Sequence, residues 1–204
     1  MTEKPTPYFR KDRTEALADG IFATVMTILV LSLVVPTITG ANASGSLQAT
    51  LSGLLPDLIV YVFTFVYLGM LWIGHQNALS HITRIDLRIL WLNILLLLGV
   101  AVIPFSTALL GRYPLEPLAN ITYGINGVVV SSLYNVLWFY PRRINLAHDE
   151  PNPEMVAKRS RTLIVGPIVF TLAILFAFVS TYISFALIVF VAAYFTVFAG
   201  KSIH

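Results

Sequence analysis

Six apolar runs separated by short polar stretches divide this chain. The first opens in a charged turn, Asp12-Arg13-Thr14-Glu15, and stays apolar to Val35, with Asp19 the one charge from Ala18 onward. At about 1.5 Å per residue, about 20 residues cross the ~30 Å hydrocarbon layer of a bilayer, so this run is long enough to span it. Asp12 with Glu15 three residues later has the form of a capping box, which predicts a helix that starts in water. Uncharged turn residues from Pro36 to Gln48 predict a loop. The second run covers Leu54 to Ile73, with Pro56 suited to a first helical turn. His75 to Arg88 reads as a polar, partly helical connection. The third run, Leu90 to Leu110, holds Asn93 near its start and Pro104 past its middle, a proline that membrane bundles tolerate. Leu118 to Tyr140 is the most polar run, with Asn126, Ser131, Ser132 and Asn135 inside it. Pro141 to Arg161 is the longest connection, and two further runs close the series. The predicted helices span about 13–36, 54–74, 87–110, 117–140, 162–180 and 182–200, in one transmembrane domain over residues 1–204 without an internal repeat.

Composition sharpens this to a class. Only 11% of the residues are charged, against roughly 25% in an ordinary soluble domain. The fold class is therefore an all-α integral membrane protein with six transmembrane helices. There is no cysteine, which excludes disulfides, thiolate metal sites and cysteine nucleophiles. The net charge of +3 does not indicate nucleic acid, because basic residues flanking membrane helices account for it. Twelve of the 13 Lys and Arg residues fall in the N-terminal segment, the second and fourth connections and the C-terminus, leaving Arg112 alone on the other side. By the positive-inside rule both termini are cytoplasmic.

Candidate chemistry concentrates on the first run. At about 100° per residue, Gly20, Thr24, Thr27, Ile28, Leu31 and Val35 share a face. Small, hydroxyl and aliphatic groups in such a stripe suit either a narrow ion path or close packing of membrane helices. Arg13 and Asp19 are six apart and do not face each other. Each is expected to meet groups on other helices, with Trp72, His75 and Asn93 nearest in depth, forming a polar clasp. His75 in such a clasp would bring a group that titrates near neutral pH. Asn126, Ser131, Ser132 and Asn135 suit interhelical hydrogen bonds or a transporter site. Lys158-Arg159-Ser160-Arg161 suits anionic headgroups, and Asn42-Ala43-Ser44 matches a glycosylation sequon. No enzyme pattern emerges: His75 and His81 lack H-E-x-x-H spacing, and there is no G-x-S-x-G.

The segment Arg13-Thr14-Glu15-Ala16-Leu17-Ala18-Asp19-Gly20-Ile21-Phe22-Ala23 resembles the R-x-x-x-F-S-D-G-V-F-A signature of the transmembrane protein 175 family. The similarity continues through Trp72-Ile73-Gly74-His75, Leu90-Trp91-Leu92-Asn93 and Pro104-Phe105-Ser106-Thr107-Ala108-Leu109-Leu110-Gly111, covering the first three helices. Members are potassium-permeable channels, lysosomal in animals and in the cell membrane in prokaryotes. The resemblance implies a homotetramer of six-helix subunits, with the first helix of each lining a central pore. It also implies three constriction levels, here Thr24, Ile28 and Leu31, with a threonine ring at Thr27. Thr24 stands where a bulky aliphatic residue is usual, and Leu17-Ala18 replace Phe-Ser.

The expected function is a potassium-permeable cation channel that needs no cofactor, metal or catalytic residue. Its partners are potassium ions, the lipid bilayer and three further copies of itself. Rings of Ile28 and Leu31 would narrow the pore until it dewets, and threonine hydroxyls would replace part of an ion's hydration shell without fixed charge. Modest preference for potassium over sodium and some proton permeation follow from that lining. The alternatives are a small-solute transporter with its site between the first and fourth helices, or a non-conducting membrane scaffold.

Overall fold

Among the described residues the fold is built from six long helices. A computed structural model describes residues 8–33, 47–48, 51–147 and 153–200. The Asn42-Ala43-Ser44 sequon and most of the loop around it lie outside the described residues, as do the first seven residues and Lys201. Helix α1 is Lys11–Ile28 and continues as a 3-10 turn, Leu29–Ser32; α2 is Leu55–Ser80 and α3 is Leu87–Arg112. Helix α4 is Pro117–Arg143, α5 is Pro153–Ala177 and α6 is Thr181–Gly200. Four of these stretches are long and apolar enough to cross a bilayer: Lys11–Ser32, Leu55–Ser80, Leu87–Arg112 and Val156–Ala177. Helix α4 carries the polar interior noted above, and the apolar stretch of α6, Thr181–Phe195, is shorter.

Local chemistry fixes several ends differently from the sequence expectation. Helix α1 starts at Lys11 after Arg10, and no side chain caps it. Asp12 pairs instead with the Arg10 guanidinium at 2.5 Å, while Glu15 faces Lys11 at 3.9 Å, so the capping box does not form. The α1 end expected at 36 comes earlier, because Leu33 is already extended (φ −85°, ψ 93°). Helix α2 runs past 74 to Ser80, taking in His75, Gln76 and Asn77. Helix α5 begins at Pro153 rather than 162, so Lys158, Arg159 and Arg161 are helical. At the start of α3, the Asp86 side chain accepts from the Ile89 N–H at 2.7 Å, a well-formed cap. Pro104 is accommodated within α3, which continues to Arg112.

Helix α3 packs on α2 and α4, α4 packs on α5, and α6 closes back onto α5 and α2. Phe22, Leu68, Leu96, Leu97 and Phe170 lie in the buried core. At Gly127 of α4 an added Cβ would lie 2.6 Å from the Phe170 ring of α5, so only glycine lets that ring sit on the α4 backbone. Helix α1 lies outside this arrangement, in contact with α2 and α3 only.

The segment between α2 and α3 is pinned from two sides. Phe9 bridges to Ile85, and Ile82 bridges to Ala147 in the connection after α4. Lys11 Nζ donates to the carbonyls of Ser80 and Ile82, both at 3.0 Å, completing the end of α2.

Candidate pore-lining face and its polar anchors

Helix α1 has two unlike faces. Thr14, Ala18, Phe22, Val25 and Leu29 are buried against α2 and α3, at the spacing of a single helical face. The opposite face carries Gly20, Thr24, Thr27, Ile28 and Leu31, all exposed in the single subunit. Ile28 is 46% and Leu31 72% exposed. The six-residue stripe seen in the sequence thus falls on the side of α1 that its own subunit leaves uncovered, apart from Val35, which is outside the described residues.

The hydroxyls on that face are turned back to the helix. Thr24 Oγ1 donates to the Gly20 carbonyl at 2.7 Å. Thr27 Oγ1 lies 2.8 Å from the Thr24 carbonyl and 3.1 Å from that of Ala23. With each hydroxyl proton given to the backbone, the oxygen lone pairs remain to face outward, which is the polarity a cation favours. At the end of α1, Ser32 Oγ donates to the Leu29 carbonyl at 2.7 Å within the 3-10 turn. A 3-10 turn has about three residues, so side chains three apart stack along its axis. Ile28 ends the α-helix and Leu31 lies three residues on, inside that turn.

The groups expected to form one polar clasp separate into two. Asp19 Oδ1 accepts from the Trp72 indole N–H at 2.8 Å, and also from Gln76 Nε2. This first set is exposed and ties the middle of α1 to α2. The second set is fully buried: His75 Nε2 meets Asn93 Oδ1 at 2.7 Å, joining α2 to α3. An amide oxygen only accepts, so His75 Nε2 carries the proton in that bond. Phe22 of α1 lies on the same imidazole with ring centroids 5.7 Å apart. Arg13 joins neither set; its side chain is exposed and has no partner among the described residues. Gln76 was not singled out from sequence, though it sits one turn beyond Trp72 on the same face.

Several polar residues of α4 are used within the bundle, while Asn135 Oδ1 is buried without a hydrogen-bond partner. Asn126 meets the Ser106 hydroxyl at 3.2 Å and, with its nitrogen turned to α3, the Gly99 carbonyl at 3.1 Å. Ser131 donates to the Gly127 carbonyl of its own helix at 2.6 Å. Tyr123 and Thr64 hydroxyls are 3.2 Å apart, and Thr107 reaches Thr64 at 3.3 Å. Helices α1 and α4, between which the alternative transporter reading put its site, do not pack together within the subunit; both pack on α3. Among the described residues no three His, Asp or Glu side chains gather as a metal site.

Apolar helices of spanning length, with polar side chains paired between helices, define a multi-pass helical membrane protein. Comparison with known proteins narrows the class. The sequence model of the family described as "Endosomal/lysosomal potassium channel TMEM175" matches residues 13–104. A protein of Streptomyces collinus named as a potassium channel is 31% identical over 180 residues, 85% of each chain. A second, from Chamaesiphon minutus, is 28% identical over 190 residues, covering 90% of this chain and 92% of that protein. The human protein named endosomal/lysosomal proton channel TMEM175 is 28% identical over 137 residues, 63% of this chain and 27% of its own length. Among solved structures, a lysosomal potassium-selective channel TMEM175 homologue from Chamaesiphon minutus superposes with a TM-score of 0.79 at 27% identity, over 94% of this chain and 97% of that one. This chain belongs to the TMEM175 family.

Proposed function

We propose that this protein is a potassium-permeable cation channel, assembled from four copies around a central pore lined by α1. The observation that carries the reading is the uncovered α1 face, on which Gly20, Thr24, Thr27, Ile28 and Leu31 form a stripe while the opposite face is packed. A single six-helix subunit does not enclose a path along one of its outer helices, so a pore on this face requires several copies. Channel names among the relatives of matching length support the same conclusion. Ile28 and Leu31 then form stacked hydrophobic rings that close the pore by dewetting, and Thr24 and Thr27 offer hydroxyl oxygens to a partly dehydrated cation. Asp19, Trp72 and Gln76 hold α1 against α2 near the pore mouth, and His75 with Asn93 holds the frame behind it. All six helices cross the cell membrane as one domain, with both termini cytoplasmic, in line with the distribution of Lys and Arg.

A lining of hydroxyl and aliphatic groups without a carbonyl filter gives modest preference for potassium over sodium and leaves protons a path. The test is the reversal potential of purified protein in a planar bilayer with potassium on one side and sodium on the other. Currents reversing toward the potassium equilibrium potential are expected. Reversal at zero would refute the selectivity while leaving a channel. The absence of current from inserted tetramers would overturn conduction itself.

A further inference from the structure

Helices α2 and α5 do not pack directly on each other, although both contact α4 and α6. Between them lies a crevice of about 80 Å³, away from the exposed face of α1. Its walls are mainly apolar: Tyr67, Met70 and Leu71 on α2, Leu163 on α5 and Phe195 on α6. Ile73 at the rim is 39% exposed, so the crevice opens to the outside of the subunit. Tyr67 and Asn77 both line it, ten residues apart on α2, which gives it a length of about 15 Å.

One cation stands at the Asn77 end. Arg159 reaches across the gap, with Nη1 2.5 Å from Asn77 Oδ1 and Nη2 3.4 Å from the Gly74 carbonyl. Its guanidinium lies 4.5 Å from the Trp138 ring, which Arg142 also approaches, at 3.4 Å. The Tyr134 hydroxyl is a third partner; all three acceptors are neutral, and among the described residues no carboxylate lies within 4 Å of Arg159. Glycine at position 74 allows the approach of α4: a Cβ there would lie 2.5 Å from the Tyr134 hydroxyl, which lines the crevice beside Arg159. A guanidinium presents five donors in a planar fork suited to phosphate, and only part of that fork is used here. Lys158 and Arg161 stand exposed on the same helical turns.

We propose that this crevice binds one anionic phospholipid, its phosphate on Arg159 and part of an acyl chain between Leu71, Ile73 and Leu163. The volume is roughly half of the ~150 Å³ apolar cavity that admits benzene, so it takes a segment of one chain and leaves the rest of the lipid in the bilayer. An apolar slot ending in a basic group between membrane helices is the arrangement that anionic headgroups recognise. The inference rests on membrane embedding and not on conduction, and lipid retention is read without any ion current.

The experiment uses the full-length protein in detergent, with palmitoyl-oleoyl phosphatidylglycerol, the matching phosphatidylcholine or oleate added, and bound lipid counted by native mass spectrometry. The wild type is expected to retain phosphatidylglycerol about fivefold over phosphatidylcholine, the size of one arginine's contribution near a headgroup. Arg159→Gln should abolish that preference and Arg159→Lys should keep part of it, while Arg143→Gln, exposed and outside the crevice, should leave it unchanged. Leu163→Trp keeps the arginine and fills the slot, so it should lower retention of both phospholipids even if Arg159→Gln does not fold. An unchanged preference in Arg159→Gln, or an equal loss in Arg143→Gln, would replace the site with diffuse surface attraction. Full retention in Leu163→Trp would remove the acyl chain from the slot, and tighter binding of oleate would remove the phosphate.

Discussion

Leu31 and Ile28 lie on the face of α1 that its own subunit leaves uncovered. The proposed constriction at these positions is testable on one residue. Leu31→Ala should raise potassium flux on the order of tenfold, because widening a dewetted ring readmits water before any helix moves. Unchanged flux in a folded tetramer would take the gate away from this position. The His75–Asn93 pair is fully buried, so its loss is felt as stability. Asn93→Ala leaves the His75 N–H without its acceptor and should cost about 1–3 kcal/mol, seen as a lower melting temperature in detergent. Asp19 differs: its partners Trp72 and Gln76 are exposed with it. Trp72 was legible from sequence because it lies at matching depth. Gln76 was not, because it follows the apolar run, where the pattern reads as a connection although the helix continues.

The α-helices themselves follow from apolar length, but their ends follow from polar chemistry that length does not encode. Asp86 ends the α2–α3 connection by capping α3, so Asp86→Ala should destabilise the protein by about 1 kcal/mol. A melting temperature left unchanged would show that the cap is dispensable beside the two β-bridges. Asp12 carries the same signature and does not cap, because the helix already starts at Lys11 and leaves Asp12 inside the first turn, paired with Arg10. The packing of α4 on α5 depends on the missing side chain at Gly127. Gly127→Ala must displace the Phe170 ring and should cost about 1–3 kcal/mol, more than an alanine placed on an exposed helical surface. Equal thermal stability would mean that the two helices separate at little cost.

Four α1 helices around a common axis would bring identical residues of the stripe close together, whereas residues on the buried face would stay inside their own subunits. The chain contains no cysteine, so single cysteines report this without background. Leu31→Cys is expected to form disulfide-linked dimers on oxidation in membranes, and Val25→Cys is expected to remain monomeric on a denaturing gel. The reverse pattern would place a different face of α1 at the axis.

Read alone, the chain determines an all-helical membrane protein, the approximate position of each helix and a two-faced first helix. Charge deficit, run length and 3.6-residue periodicity are local properties, and the backbone has few ways to satisfy its polar groups in lipid. Membership of the family is carried by the same local motifs, from Arg13 to Ala23 and on into the third helix. Tertiary structure alone decided which face of α1 its neighbours cover. It also decided that Asn126 turns to Ser106 rather than toward α1, and that Arg159 reaches inward to Gly74 and Asn77. Those partners are separated by 20 to 85 positions along the chain. Periodicity fixes how a side chain points from its own helix, but the neighbour it meets depends on how helices pack, and here on two glycines that admit Phe170 and Tyr134.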